Sequence, residues 1–144
     1  THGGLDLISF GPSAISQVGD CFAQNQRKLD DWAIALLEGR MPTARGLIRT
    51  VDDRLRAEII DRIMCTGEVV FKQFEKAFQL SFKRYFTNEL DRIEALSGDG
   101  LVERTAQGFK VTSSGLIFLR AIAKIFDSYL TPSTQSSGRF SRIV

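Results

Sequence analysis

Residues 5–10, Leu-Asp-Leu-Ile-Ser-Phe, form a short apolar run that Gly11-Pro12 cuts off sharply. A run of this length suits a strand buried on both faces of a parallel sheet better than a helix too short to stand alone. Nothing nearby in the chain reads as its partner strand, and the chain opens at Thr1 in what reads as a loop. Both features predict a fragment, in which an orphaned strand is followed by a separate, helical region.

At 144 residues the chain has the length of about one domain, enough to bury a core. A formal net charge of +2 is too small to dictate a polyanionic partner. Cys21 and Cys65 are too few and too far apart for a disulfide framework or a zinc site, so both are expected to be buried, reduced thiols. No stretch approaches the roughly 20 apolar residues that span a bilayer, and no signal peptide is visible. The expectation is a cytoplasmic protein with no membrane partner.

Residues 13–25 are small and polar and read as a loop or short helical turn. From Gln26 the pattern turns helical, with Leu29, Trp32, Ala33, Leu36 and Leu37 on one face. Gly39 stops this helix, Pro42 lies just beyond, and residues 40–49 read as a connector. Thr50 and Asp53 have the spacing of a capping box, opening a helix with the stripe Leu55, Ile59, Ile63 and Met64 that ends near Gly67. Phe71, Phe74 and Phe78 mark a second helix. Ser81 is the expected N-cap of a third, whose stripe is Phe82, Tyr85, Phe86, Leu90 and Ile93. Residues 101–105 and 109–112 flank a three-residue link ending in Gly108 and predict a β-hairpin. A last helix is expected through Leu116, Leu119, Ile122, Ala123, Phe126 and Tyr129, stopping at Pro132 before a polar tail.

The expected fold is therefore mainly α. A winged-helix-like helical domain with a small β-hairpin (residues 26–132) follows the last strand and loop of a truncated α/β barrel (residues 1–25) and precedes a tail (residues 133–144). Winged helices often bind DNA through their third helix. Here that helix carries Lys83, Arg84 and Arg92 against Glu89, Asp91 and Glu94, which cancel them. Duplex affinity depends on neutralised phosphates, so no nucleic-acid partner is expected. A winged-helix DNA-binding or protein-interaction module is the alternative to an accessory packing domain.

Several segments carry a resemblance. These are Asp6-Leu-Ile-Ser-Phe-Gly-Pro-Ser-Ala-Ile-Ser-Gln-Val-Gly-Asp20, Ala23-Gln-Asn25, Thr43-Ala-Arg-Gly46, Asp99-Gly-Leu-Val102, Val111-Thr112, Arg120, Ile125-Phe-Asp-Ser-Tyr-Leu130 and Phe140-Ser-Arg-Ile-Val144. Together, in order and across nearly the whole chain, they are similar to the C-terminal portion of the oxygen-independent coproporphyrinogen III oxidases. The terminal block favours these oxidases over the related haem-chaperone proteins. The resemblance implies a radical S-adenosylmethionine enzyme of haem biosynthesis, in which a [4Fe–4S] cluster held by CxxxCxxC cleaves S-adenosylmethionine reductively. The resulting radical drives oxidative decarboxylation of coproporphyrinogen III to protoporphyrinogen IX, and an electron donor is implied. The cofactor carries the hard chemistry and the protein positions it.

This chain has no CxxxCxxC and no glycine-rich S-adenosylmethionine motif. The resemblance thus implies that the radical S-adenosylmethionine barrel lies upstream as a missing partner. The fragment alone is expected to be inactive, with no catalytic residue and no metal ligand of its own. The loop after residues 5–10 stands where parallel α/β barrels place ligands. By resemblance Ile15 contacts S-adenosylmethionine, with Ser13 and Ala14 in the neighbouring loop; the plainer reading has Ile15 only packing in that loop. Arg45 is a candidate for a substrate carboxylate, since guanidinium binds carboxylates bidentately, or else a solvated or capping arginine. Gln24 and Asn25 are expected to order the loop by local hydrogen bonds. His2 has no visible partner for general-base work. Asp20, Asp30 and Asp31 read as caps or surface charges.

Overall fold

A computed structural model describes residues 5–130; His2, the predicted stop at Pro132 and the tail, including residues 140–144, lie outside the described residues. The chain divides into two compact units between Leu55 and Arg56. That division falls well beyond residue 26, because a strand after the first helix pairs back onto one before it.

In the first unit, β1 (Ile15–Val18), β2 (Cys21–Asn25) and β3 (Thr43–Ile48) form an antiparallel sheet in the order β1-β2-β3. Residues 13–25 are therefore mostly a hairpin, and residues 40–49 are mostly a strand. Gly19 turns the hairpin at φ +53°, the residue and sign that a two-residue turn of the II′ kind places first. Alternation did not reveal β2 and β3 because small or polar residues stand on both sheet faces, and neither strand has a buried residue.

Residues 5–10 are not the buried parallel strand expected. They touch this sheet through one antiparallel bridge, Leu7 to Gln17, with N–H···O distances of 2.7 and 2.8 Å. Phe10 is 89% exposed, and Leu5, Leu7 and Ile8 are exposed as well. An apolar run is buried only where a second layer covers it, and no described residue of this unit forms one. Between β2 and β3 lies α1 (Leu29–Leu37), which starts three residues after Gln26 with Asp30 and Asp31 in its first turn. It ends as its sequence predicts. Gly39 adopts φ +69°, its N–H donates to the Leu36 carbonyl, and that of Arg40 donates to Ala35, a complete Schellman motif.

The predicted capping box is present: Asp53 Oδ2 accepts from Thr50 N–H at 2.8 Å, and Thr50 Oγ1 accepts from Asp53 N–H at 3.1 Å. It opens α2 (Val51–Thr66), which leads into the second unit. There follow β4 (Glu68–Val70), α3 (Phe71–Phe78), α4 (Phe82–Tyr85), α5 (Thr87–Gly98), β5 (Val102–Thr105), β6 (Gly108–Val111) and α6 (Leu119–Ala123), with 3₁₀ turns at Gly115–Phe118 and Lys124–Phe126. The predicted hairpin is β5-β6, but β4 adds a third strand, giving the order β4-β6-β5. The result is a mixed helix-and-sheet structure rather than a mainly helical one.

Two expected helices are broken. The helix from Ser81 divides at Phe86, where the Thr87 hydroxyl bonds the Lys83 and Arg84 carbonyls at 3.1 Å in place of a main-chain donor. Ser81 holds the N-cap position without a side-chain bond; Glu75 Oε1 accepts from Phe82 N–H instead, at 2.9 Å. The last helix is interrupted by 3₁₀ turns, whose tighter winding rotates its apolar face. Ile122, Ala123, Ile125 and Phe126 are buried, while Leu116 and Tyr129 of the expected stripe are exposed. Both cysteines are exposed rather than buried, and neither is in a disulfide.

Six phenylalanines form the core of the second unit. Phe82 is fully buried, with ring centroids of Phe71 at 4.5 Å, Phe86 at 4.8 Å, Phe74 at 5.7 Å and Phe126 at 6.5 Å. Phe109 stacks on Phe126 at 6.0 Å. Close backbone approach around this core demands glycine at two places. A Cβ at Gly108 would overlap the Val69 carbonyl, and one at Gly115 the Leu101 carbonyl, whereas Gly98 faces open space. Gly108→Ala and Gly115→Ala are each expected to destabilise by about 3 kcal/mol, since backbone cannot yield as a side chain does. Gly98→Ala should be neutral or slightly stabilising at a helix end. Urea unfolding midpoints of the three variants check this.

Candidate functional site

The sheet of the first unit brings the candidate residues into one row. Ile15 on β1 pairs with Gln24 on β2, which pairs with Arg45 on β3. Directly opposed residues of antiparallel strands project to the same face, so these three side chains are neighbours there. Phe22 and Leu47 pair two residues along on that face, so the row is polar at its centre and flanked by apolar groups.

The loop before β1 is tied to β2 by a set of local bonds. Ser13 N–H donates to Gln26 O at 2.8 Å, and Asn25 N–H donates to Ala14 O at 2.9 Å. Asn25 Nδ2 donates to Gly11 O at 3.0 Å, and Gln24 Nε2 donates to Ser13 O at 3.1 Å. Gln24 and Asn25 thus order the loop as their position suggests. Ser13 takes a left-handed conformation at φ +57°, which costs a non-glycine residue about 1 kcal/mol and is held by these bonds. The Ser13 N–H and the Ser13 and Ala14 carbonyls are already engaged here, while the Ile15 side chain is 51% exposed.

Arg45 Nε donates to Gln24 Oε1 at 2.8 Å, and its guanidinium makes no ion pair among the described residues. Arg49 is different. It lies 5.1 Å over the Phe22 ring, donates to Gly19 O at 2.6 Å and approaches Asp20 at 3.8 Å, so it braces the hairpin turn. Asp20 also pairs with Arg54 at 3.1 Å, a structural role in keeping with a surface charge. A cavity of about 240 Å³ in the second unit is lined by Arg92, Leu96, Leu101, Phe118, Ala121, Ile122 and Ile125. It is smaller than the roughly 300–1,000 Å³ of small-molecule pockets and has one charged group, so it is the weaker candidate. Among the described residues no three His, Cys, Asp or Glu side chains gather to hold a metal ion.

Residues 50–118 match the family described as the HemN C-terminal domain. Over all 144 residues the chain is 39% identical to the oxygen-independent coproporphyrinogen III oxidase of Pseudomonas aeruginosa and 35% identical to that of Escherichia coli, covering 31% of each. Over its whole length the chain is similar to a part of these oxidases. It spans about a third of the length of these curated relatives. A solved structure titled as coproporphyrinogen III oxidase (HemN) from Escherichia coli, a radical SAM enzyme, superposes with a TM-score of 0.86 at 36% identity. The match covers 90% of this chain and 30% of that one. The mixed helix-and-sheet fold is thus the fold of the matched portion of that structure.

Residue type alone points to Ile15 and Arg45 but not to Gln24 between them, because β3 has no alternation that marks it as a strand. Asn25→Ala should release Gly11 and lower the stability of the first unit by about 1 kcal/mol, the net worth of one hydrogen bond. Limited proteolysis should show faster cleavage within residues 11–14.

Proposed function

We propose that this chain acts as the C-terminal portion of an oxygen-independent coproporphyrinogen III oxidase, the enzyme that decarboxylates coproporphyrinogen III to protoporphyrinogen IX in haem biosynthesis. The observation that carries the reading is the uncovered apolar surface of the first unit, in a chain that aligns end to end with a third of such oxidases. Leu5, Leu7, Ile8, Phe10, Ile15, Leu47 and Ile48 are all exposed, and among the described residues up to Leu55 only Ala35 and Leu55 are buried apolar side chains. An apolar surface of this extent marks a docking face. Its occupant in this reading is the radical S-adenosylmethionine barrel, to which residues 5–10 are offered as a last strand.

When bound, S-adenosylmethionine and a [4Fe–4S] cluster would supply the radical chemistry of this reaction. The cluster does not fit this chain: three cysteine thiolates are needed, and Cys21 and Cys65 are two thiols in separate units. Residues elsewhere in the protein hold it, and a separate electron donor reduces it. What this chain contributes is binding. The exposed Ile15 side chain, presented by Ser13 and Ala14, packs against the flat adenine of S-adenosylmethionine. Arg45, whose terminal nitrogens carry no ion pair among the described residues, receives one of the four carboxylates of coproporphyrinogen. The second unit, with its winged-helix-like order of elements, packs as an accessory domain that helps exclude water from the radical. A cytoplasmic site of action follows from this pathway.

Ile15→Ala in the full-length oxidase should raise KM for S-adenosylmethionine about tenfold, the worth of a lost apolar contact, with little change in stability at so exposed a position. Deleting residues 40–144 should abolish turnover, measured as protoporphyrinogen formed under anaerobic reducing conditions. Undiminished decarboxylation after that deletion would overturn the proposal.

A further inference from the structure

We infer that Gln24 is a positioning residue that sets the guanidinium of Arg45 for a substrate carboxylate; the inference rests on the reading of Arg45 just given. Gln24 occupies the middle strand, in register with Ile15 on one side and Arg45 on the other. Its amide is used at both ends, with Oε1 accepting from Arg45 Nε at 2.8 Å and Nε2 donating to Ser13 O at 3.1 Å. The amide cannot be reversed. A guanidinium only donates and a carbonyl only accepts, so a flip would break both bonds at once.

This arrangement decides how an anion can approach. Arginine binds a carboxylate bidentately either through Nε and one terminal nitrogen or through the two terminal nitrogens. With Nε committed to Gln24, the end-on mode through Nη1 and Nη2 is left. The planar fork of Arg45 is thereby fixed before the ligand arrives, which lowers the ordering cost of binding. The other end of the amide is anchored to the carbonyl of Ser13, a residue whose left-handed backbone is itself held by its N–H bond to the Gln26 carbonyl just past β2. The loop presenting Ile15 and the arginine facing the substrate are thus braced by one side chain.

Gln24 is half-buried and Arg45 is exposed, so a purely structural bond between them is worth little to the fold. Substrate kinetics therefore separate the two roles. In the full-length oxidase, Gln24→Met should raise KM for coproporphyrinogen III about fivefold while kcat stays within about twofold. Arg45→Met should raise it about tenfold or more, and the double variant should be no worse than Arg45→Met alone. Gln24→Glu should raise KM beyond Gln24→Met, because its carboxylate claims the guanidinium that the substrate needs. Multiplying effects in the double variant, or a wild-type KM in Gln24→Glu, overturn the role of Gln24 while leaving Arg45 as a substrate contact. An unchanged KM in Arg45→Met overturns the reading of Arg45 itself, and the positioning role with it.

Discussion

The ring of Phe82 is the point on which the second unit closes. Phe71, Phe74, Phe86 and Phe126 all lie within 6.5 Å of it, drawn from α3, the residues about the α4–α5 break and the final 3₁₀ turn. Offset and tilted aromatic pairs of this kind contribute about 0.5–1.5 kcal/mol each beyond the area they bury. Phe109 on β6 joins through Phe71 and Phe126, which fastens the small sheet to the helices. The sheet must then lie close to its neighbours, and this is why Gly108 and Gly115 have no room for a side chain. The broken helices belong to the same arrangement. Backbone regularity is given up at Phe86 and around residues 115–126 so that the rings can meet.

Among its described residues the first unit has no such nucleus. Its sheet is held by ladder bonds and its hairpin turn by Arg49, while most of its large apolar side chains face outward. Hydrogen bonds between strands contribute little net stability unless side chains are buried with them. A sheet of this composition leaves its apolar side chains uncovered among the described residues.

Punctuation was the most legible part of the sequence. Gly39 and the Thr50–Asp53 box each act through one or two residues and appear where their chemistry predicts, whereas Gly108, expected to end a three-residue link, instead opens β6 opposite Thr105. Elements that depend on distant partners were not legible. β3 and β4 have no alternation of their own and become strands only by pairing with β2 and β6. The Gly19-Asp20 pair was a usable hairpin signal, since glycine followed by aspartate between short runs favours a two-residue turn. The break at Phe86 was beyond periodicity. There the Thr87 hydroxyl takes up the Lys83 and Arg84 carbonyls.

Charge placement in the second unit ties its elements together. Arg56 donates to Glu89 at 2.8 Å and to the Phe126 carbonyl at 3.2 Å, with its guanidinium 5.1 Å from the Phe86 ring centroid. Arg104, on the first strand of the hairpin, is held by Glu94 at 2.7 Å and by the Leu90 carbonyl. Both cations are spent on fastening α2 and β5 to α5, through Glu89 and Glu94. The contrast with Arg45 is therefore chemical. It is held through Nε by a neutral amide, which fixes its direction and leaves its charge uncompensated among the described residues.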